Sequence, residues 1–336
     1  MTTRGVWILA AFMPILVVNA WAAPEADKPE IISSPGQAMT ADAMGFLNVR
    51  AIRGKEWSVV RMKNADGLWY ARLEARGALV TEFADCGNRE DWIRFMLWPI
   101  DDPDPRFLLV LRYSGGVNGP DALDIIHLKE NYRTLLKVSS DFNLTKVEDL
   151  NSDGWPEVIG KSRLYGNLLD LTRAMSPTPT LIFSYREDAK QYLCQNQKFR
   201  EKIGETADAR RKSFEQNPVS KHAFSYEKWN ETSRAACADL VAWVTETCLM
   251  GDEASAWAYL QQYTTPDTAV EIKAAIQERL EADPYYKAVK RTQERDKGVS
   301  DQPKVTPGPS QTHTSHAWLK RIKPAVELEA SIPVGG

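Results

Sequence analysis

In the stretch VEDLNSDGWPEVIG, residues 147–160, side-chain oxygens recur at alternate positions: Asp149, Asn151 and Asp153, then Glu157 beyond Gly154. Such a set suits a hard divalent cation. Calcium takes about six to eight oxygens at roughly 2.3–2.6 Å. Alternating Asp and Asn on a tightly curling loop turn their oxygens inward, and a glycine at the sixth position permits the sharp bend. Counted from Asp149, the expected ligands are the side chains of Asp149, Asn151, Asp153 and Glu157, with the backbone carbonyl of Trp155. The competing reading is a solvated hairpin turn whose Asn and Asp side chains cap their own backbone.

The helix-loop-helix calcium motif does not accommodate this stretch. Its twelfth position, where a bidentate glutamate belongs, is Gly160, and Pro156 interrupts any helix leaving the loop. The flanks KVEDL and EVIG read as strands. DLNSDGWPEVI instead resembles the loop of FG-GAP or VCBS-type repeats, in which D-x-[DN]-x-D-G-x-x-[DE] joins adjacent strands and holds calcium. The resemblance covers about 14 residues and occurs once, whereas such repeats come in several copies that build a propeller. It implies structural calcium on Asp149, Asn151, Asp153, Trp155 and Glu157, within a blade-like or sandwich-like β domain.

Catalytic signatures are missing. No G-x-S-x-G, H-E-x-x-H, phosphate-loop or G-x-G-x-x-G pattern occurs, and no CxxC spacing suggests a zinc or redox site. The four histidines are His127 in a strand-like run, His222 in a polar connection, and His313 and His316 near the C-terminus. The acidic clusters Glu90-Asp91 and Asp101-Asp102-Pro103-Asp104, with Glu157, could supply the carboxylate pair of a glycosidase-like hydrolase. That is the alternative to a non-catalytic reading. Trp57, Trp69, Trp243 and Trp257 fall on elements where core packing accounts for them.

The elements that would position these groups divide by period. Between residues 46 and 198, EWSVVRM, GLWYARLEA, FLLVLRY, LDIIHL, TLIFSYRE and KQYLC are short runs rich in β-branched, aliphatic and aromatic residues. Asn64-Ala-Asp-Gly67 between two of them is a hairpin signal. From about 199 the period becomes 3.6. Cys237, Val241, Val244 and Cys248 make one apolar stripe; Gly251 ends that helix and Asp252 starts EASAWAYLQQY. Thr265-Pro266 opens a third helix, with Ala269, Ile272, Ile276 and Leu280 on one face, and Asp283-Pro284 opens a fourth. The expected fold is α+β: an antiparallel β-rich domain, 46–198, followed by a small antiparallel helical domain, 199–297.

Compartment and class follow from the ends and the composition. Residues 1–22 combine one positive charge, an apolar run and Ala20-Trp21-Ala22, which reads as a secretory signal peptide. Residues 23–45 read as a flexible lead-in, and 298–336, rich in Pro, Ser and Thr, as a disordered tail. An apolar-basic patch at Trp318–Lys323 in that tail offers a weak surface contact, and thereby a tether in a cell-envelope structural protein. Without the first 22 residues, 41 basic residues face 45 acidic ones, which supplies no electrostatic footprint for nucleic acid. No segment is apolar enough to span a membrane. Cys86, Cys194, Cys237 and Cys248 make an even count for an oxidising compartment, so disulfides are expected. Cys237 and Cys248 are too far apart to pair if they share a helix. Asn143-Leu-Thr145 and Asn230-Glu-Thr232 match the glycosylation pattern. The reading is a periplasmic or secreted interaction protein with a calcium loop, binding a protein or an envelope glycan.

Overall fold

Asn64 begins the first of the long hairpins: its side-chain oxygen accepts the Leu68 amide at 2.8 Å, and Gly67 supplies the positive φ of +80°. The turn joins two seven-residue strands of a small antiparallel sheet. In chain order these strands are β1 (Glu30–Ile32), β2 (Ala51–Arg53), β3 (Trp57–Lys63), β4 (Trp69–Ala75) and β5 (Ala78–Phe83), and they pair in that order. Our computed structural model describes residues 28–33, 41–84, 88–100, 102–113, 121–223, 225 and 231–291. The signal-peptide reading, the tail, Cys86 and Asp101 lie outside these residues. The chain divides into two compact units, Met1–Glu294 and Arg295–Gly336, and the second falls wholly outside them.

Part of the expected lead-in is structured. Glu30–Ile32 pairs antiparallel with Ala51–Arg53, and Asp42 caps the Met44 and Phe46 amides while holding Arg94 at 2.8 Å. Its Pro- and charge-rich composition conceals a short strand whose partner lies about 20 residues on, a pairing that no local pattern reveals.

The second sheet is also an antiparallel meander. It comprises β6 (Ile93–Trp98), β7 (Phe107–Tyr113), β8 (Asp121–His127), β9 (Arg133–Glu148), β10 (Glu157–Ser162), β11 (Thr180–Arg186) and β12 (Gln191–Cys194). The first half of β9 pairs with β8 and its second half with β10. Strand β7 reads FLLVLRY because it is buried on both faces. Leu108 and Val110 join Val59, Leu73 and Phe95 in the core between the two sheets, whereas Phe107, Leu109 and Leu111 belong to a larger core on the other side. Gly160 is fixed by packing: a β-carbon there would stand 2.0 Å from the Phe142 ring, at a register shift in the β9–β10 pairing.

Four helices follow: α1 (Arg200–Gln216), α2 (Glu231–Leu249), α3 (Glu253–Tyr263) and α4 (Pro266–Ala282), with residues 284–291 also helical. The fold is thus α+β, antiparallel sheets first and helices second. The α2 stripe of Cys237, Val241, Val244 and Cys248 is buried in one core with Leu109, Val158 and Phe183 of the larger sheet. The helices and the larger sheet therefore share a core across residue 198. Gly251, φ +81°, ends α2, and Asp252 accepts the Ser255 amide at the start of α3. Cys237 and Cys248 lie on the same helix, and Cys194, Cys237 and Cys248 are all buried free thiols. Among the described residues no disulfide joins these three, and Cys237 and Cys248 stand eleven residues apart on one helix, about 16 Å, beyond disulfide reach. No helix among the described residues is long and apolar enough to cross a membrane.

Candidate metal centre

The β9–β10 hairpin carries the loop. Glu148 faces Glu157 and Val147 faces Val158 in register, so residues 149–156 bridge adjacent strands. Between them the backbone coils on its own side chains. Asp149 accepts the Asp153 amide on Oδ1 at 3.1 Å and the Gly154 amide on Oδ2 at 2.8 Å. Asn151 Oδ1 also accepts the Asp153 amide, at 3.0 Å, and Asp153 Oδ1 accepts that of Trp155 at 2.8 Å. Two left-handed residues, Ser152 (φ +59°) and Gly154 (φ +82°), make the coil tight. Gly154 is required twice over. Its φ favours glycine, and a β-carbon would stand 2.8 Å from Arg106 Nη2, which donates to the Gly154 carbonyl at 2.8 Å.

Glu157 is the buried member, only 1% exposed. It accepts the Leu150 amide at 2.7 Å and the Asn151 side-chain amide at 3.2 Å. Both donors are neutral. Burial pushes its pKa up to about 7; the Asp153 and Asp149 charges add to the rise, while the Leu150 amide and Lys198 oppose it. Beside it stands Tyr192, 4% exposed, whose hydroxyl is buried with no hydrogen-bond partner. Burial, then the charges of Glu157 and Asp153, raise the pKa of that phenol well above its ordinary value.

Trp155 anchors the loop to the sheet. Its indole stacks on Tyr185 at 3.6 Å with the rings nearly parallel, and lies 4.8 Å from Phe107 and 5.9 Å from His127 between ring centroids. His127 acts structurally there. Its Nδ1 accepts the Lys129 and Glu130 amides at 3.1 and 3.0 Å, and burial lowers its pKa.

Four of the five expected positions therefore sit in one strand-joining loop, and the fifth, Glu157, is the first residue of β10. Their carboxylates face the loop's own amides, and among the described residues no three His, Cys, Asp or Glu side chains form a ready metal cage. A carboxylate oxygen holding one amide keeps a second lone pair, so this bonding orients the donors without exhausting them. A buried carboxylate with only neutral donors, two further acidic groups and an orphaned phenol fit a hard cation chemically.

The described members of the acidic clusters each have a partner of their own. Asp91 pairs with Arg89 at 2.6 Å, Glu90 lies 4.0 Å from Arg61, Asp102 caps the Asp104 amide, and Asp104 pairs with Lys129. Arg106, Tyr185 and Tyr192 escaped the sequence reading. They lie in separate strands or connections, and no local spacing marks them as neighbours of the loop. Comparison with known proteins finds no family model that matches the chain, no similar curated protein and no matching solved structure.

Proposed function

We propose that residues 149–157 form a structural calcium site in an exported, non-catalytic binding protein. Asp149, Asn151, Asp153 and Glu157 would hold the ion through their side chains, and Trp155 through its carbonyl. The observation that carries this reading is Glu157, buried at 1% exposure beside Asp149 and Asp153 with only neutral donors. Bound calcium would supply the directly contacting positive charge that its two neutral donors do not. The likeness to FG-GAP and VCBS loops supports the same assignment. So does the position of the loop between paired strands.

The residues of this chain have distinct roles in the site. The loop amides aim Asp149 and Asp153, Glu157 is held by Leu150 and Asn151, and Trp155 pins the loop against Tyr185 and Phe107. Ion binding adds to folding stability because the unfolded chain lacks this constellation. At a calcium concentration a hundredfold above the dissociation constant, the gain is about 2.7 kcal/mol. The test is thermal unfolding with calcium and with a chelator. The midpoint should rise by about 5–10 °C with calcium, and the Asp149→Ala/Asp153→Ala variant should lose the rise. An unchanged midpoint would reduce the loop to a polar turn.

A further inference from the structure

A cleft of about 390 Å3 opens between the two sheets, within the roughly 300–1,000 Å3 of small-ligand sites. Its aromatic walls are Trp57, the first residue of β3, and Tyr132, in the β8–β9 turn; Glu56, Asp104 and Lys129 supply polar groups. Two backbone features mark the cleft as built. Asn131 and Tyr132 both have positive φ, 53° and 54°, in a turn geometry that favours Asn-Gly. A tyrosine held there is strained, and such strain gathers at binding sites. At Gly54, a β-carbon would stand 2.3 Å from Trp57 Nε1, so one edge of the indole is laid against bare backbone.

The four charged side chains that line the cleft, Lys55, Glu56, Asp104 and Lys129, carry two charges of each sign. Lys129 pairs with Asp104, and Glu56 accepts two hydrogen bonds from Arg76 at 2.7 and 3.1 Å. The cleft therefore presents donors and acceptors side by side, and its lining charges sum to zero. Apart from Trp57, its lining residues lie in turns and connecting segments, so it offers no strand edge to an extended peptide. Flat apolar rings beside mixed donors and acceptors match a ligand with C–H faces and a rim of uncharged hydroxyls.

We propose that this inter-sheet cleft binds a neutral oligosaccharide. Trp57 and Tyr132 contact the sugar faces, and Glu56, Asp104 and Lys129 hydrogen-bond the hydroxyls. The proposal rests on the reading of the chain as a binding protein, but not on calcium. The experiment is calorimetric titration of the purified chain with cellotetraose, chitotetraose, mannotetraose and, as a peptide probe, decaproline. At least one oligosaccharide should bind, and Trp57→Leu and Tyr132→Gly should each weaken it about tenfold. Tyr132→Gly should leave the melting midpoint nearly unchanged, since relief of the backbone strain offsets lost packing. No heat from any oligosaccharide at millimolar concentration would overturn the proposal. So would binding that neither variant alters, or binding of decaproline alone. Calcium-dependent melting that persists in Trp57→Leu keeps the loop assignment separate from the fate of the cleft.

Discussion

Glu157 concentrates the cost of the loop in one side chain. A carboxylate in low-dielectric surroundings favours its neutral form, and here two further acids push the same way. Replacing it with glutamine removes the charge and keeps an amide acceptor. In chelator near neutral pH, Glu157→Gln should therefore raise stability by about 1–3 kcal/mol, while abolishing the calcium response. A lowered midpoint in chelator would mean that the Leu150 and Asn151 donors already satisfy the ionised group. His127 titrates with the opposite consequence. Its folded pKa lies below the ordinary value of 6.5, so folding favours the neutral ring. That contribution is present above the unfolded pKa and is lost as the pH falls through the depressed folded value. Asparagine can accept the Lys129 and Glu130 amides without titrating. The fall in midpoint from neutral to about pH 5 should be smaller in His127→Asn; equal falls would place the acid sensitivity elsewhere.

The elements join at a few shared polar groups, and Asp283 is the clearest. Its Oδ1 accepts the Tyr285 and Tyr286 amides at the start of the last helical stretch, and its Oδ2 accepts the Tyr165 hydroxyl at 2.8 Å. Asp283→Ala should cost about 2–4 kcal/mol, a lost cap plus an unpaired buried phenol. Tyr165→Phe in that background should add less than it does alone; simple additivity would show that the two groups do not act together. The cap itself was legible, because Asp-Pro before YYKAV is a local signal. So were the Asn64–Gly67 hairpin and the α2 stripe. Strand β6 and helix α1 were not. The run IRFMLW lacks alternation because both faces pack, and α1 buries only Ile203, Ala207 and Phe214 in 17 residues. Periodicity reports one buried face; it weakens when an element has two or almost none. The Asp and Asn spacing of the 149–157 stretch was legible. Its support from Arg106, Tyr185 and Tyr192 depended on strand order.

Within the described residues of the first unit, the larger sheet is the middle layer, with the small sheet against one face and a core shared with the helices on the other. That core shelters the thiols. Burial pushes Cys194 and Cys237 up to about 12 and Cys248 higher still. Alkylation of the native protein should spare all three, whereas in denaturant without reductant all three should react, as peptide mass mapping would show. Protection that outlasts unfolding would mean they are covalently paired. The core explains the position of the helices, which sequence periodicity does not; a 3.6 period says that a helix has a buried face, not what covers it. The same compactness sets the cleft and the loop against a common abutment. Arg106 follows Pro105 of the cleft wall, donates to the Gly154 carbonyl, and accepts the amide of Leu128, which also lines the cleft. His127 holds the cleft's turn through Nδ1 while its ring faces Trp155. The loop backbone and the cleft wall are thus joined by one arginine and one imidazole. Coupling through such a joint is reciprocal: whatever factor an ion in the loop imposes on affinity in the cleft, a ligand in the cleft returns to the ion.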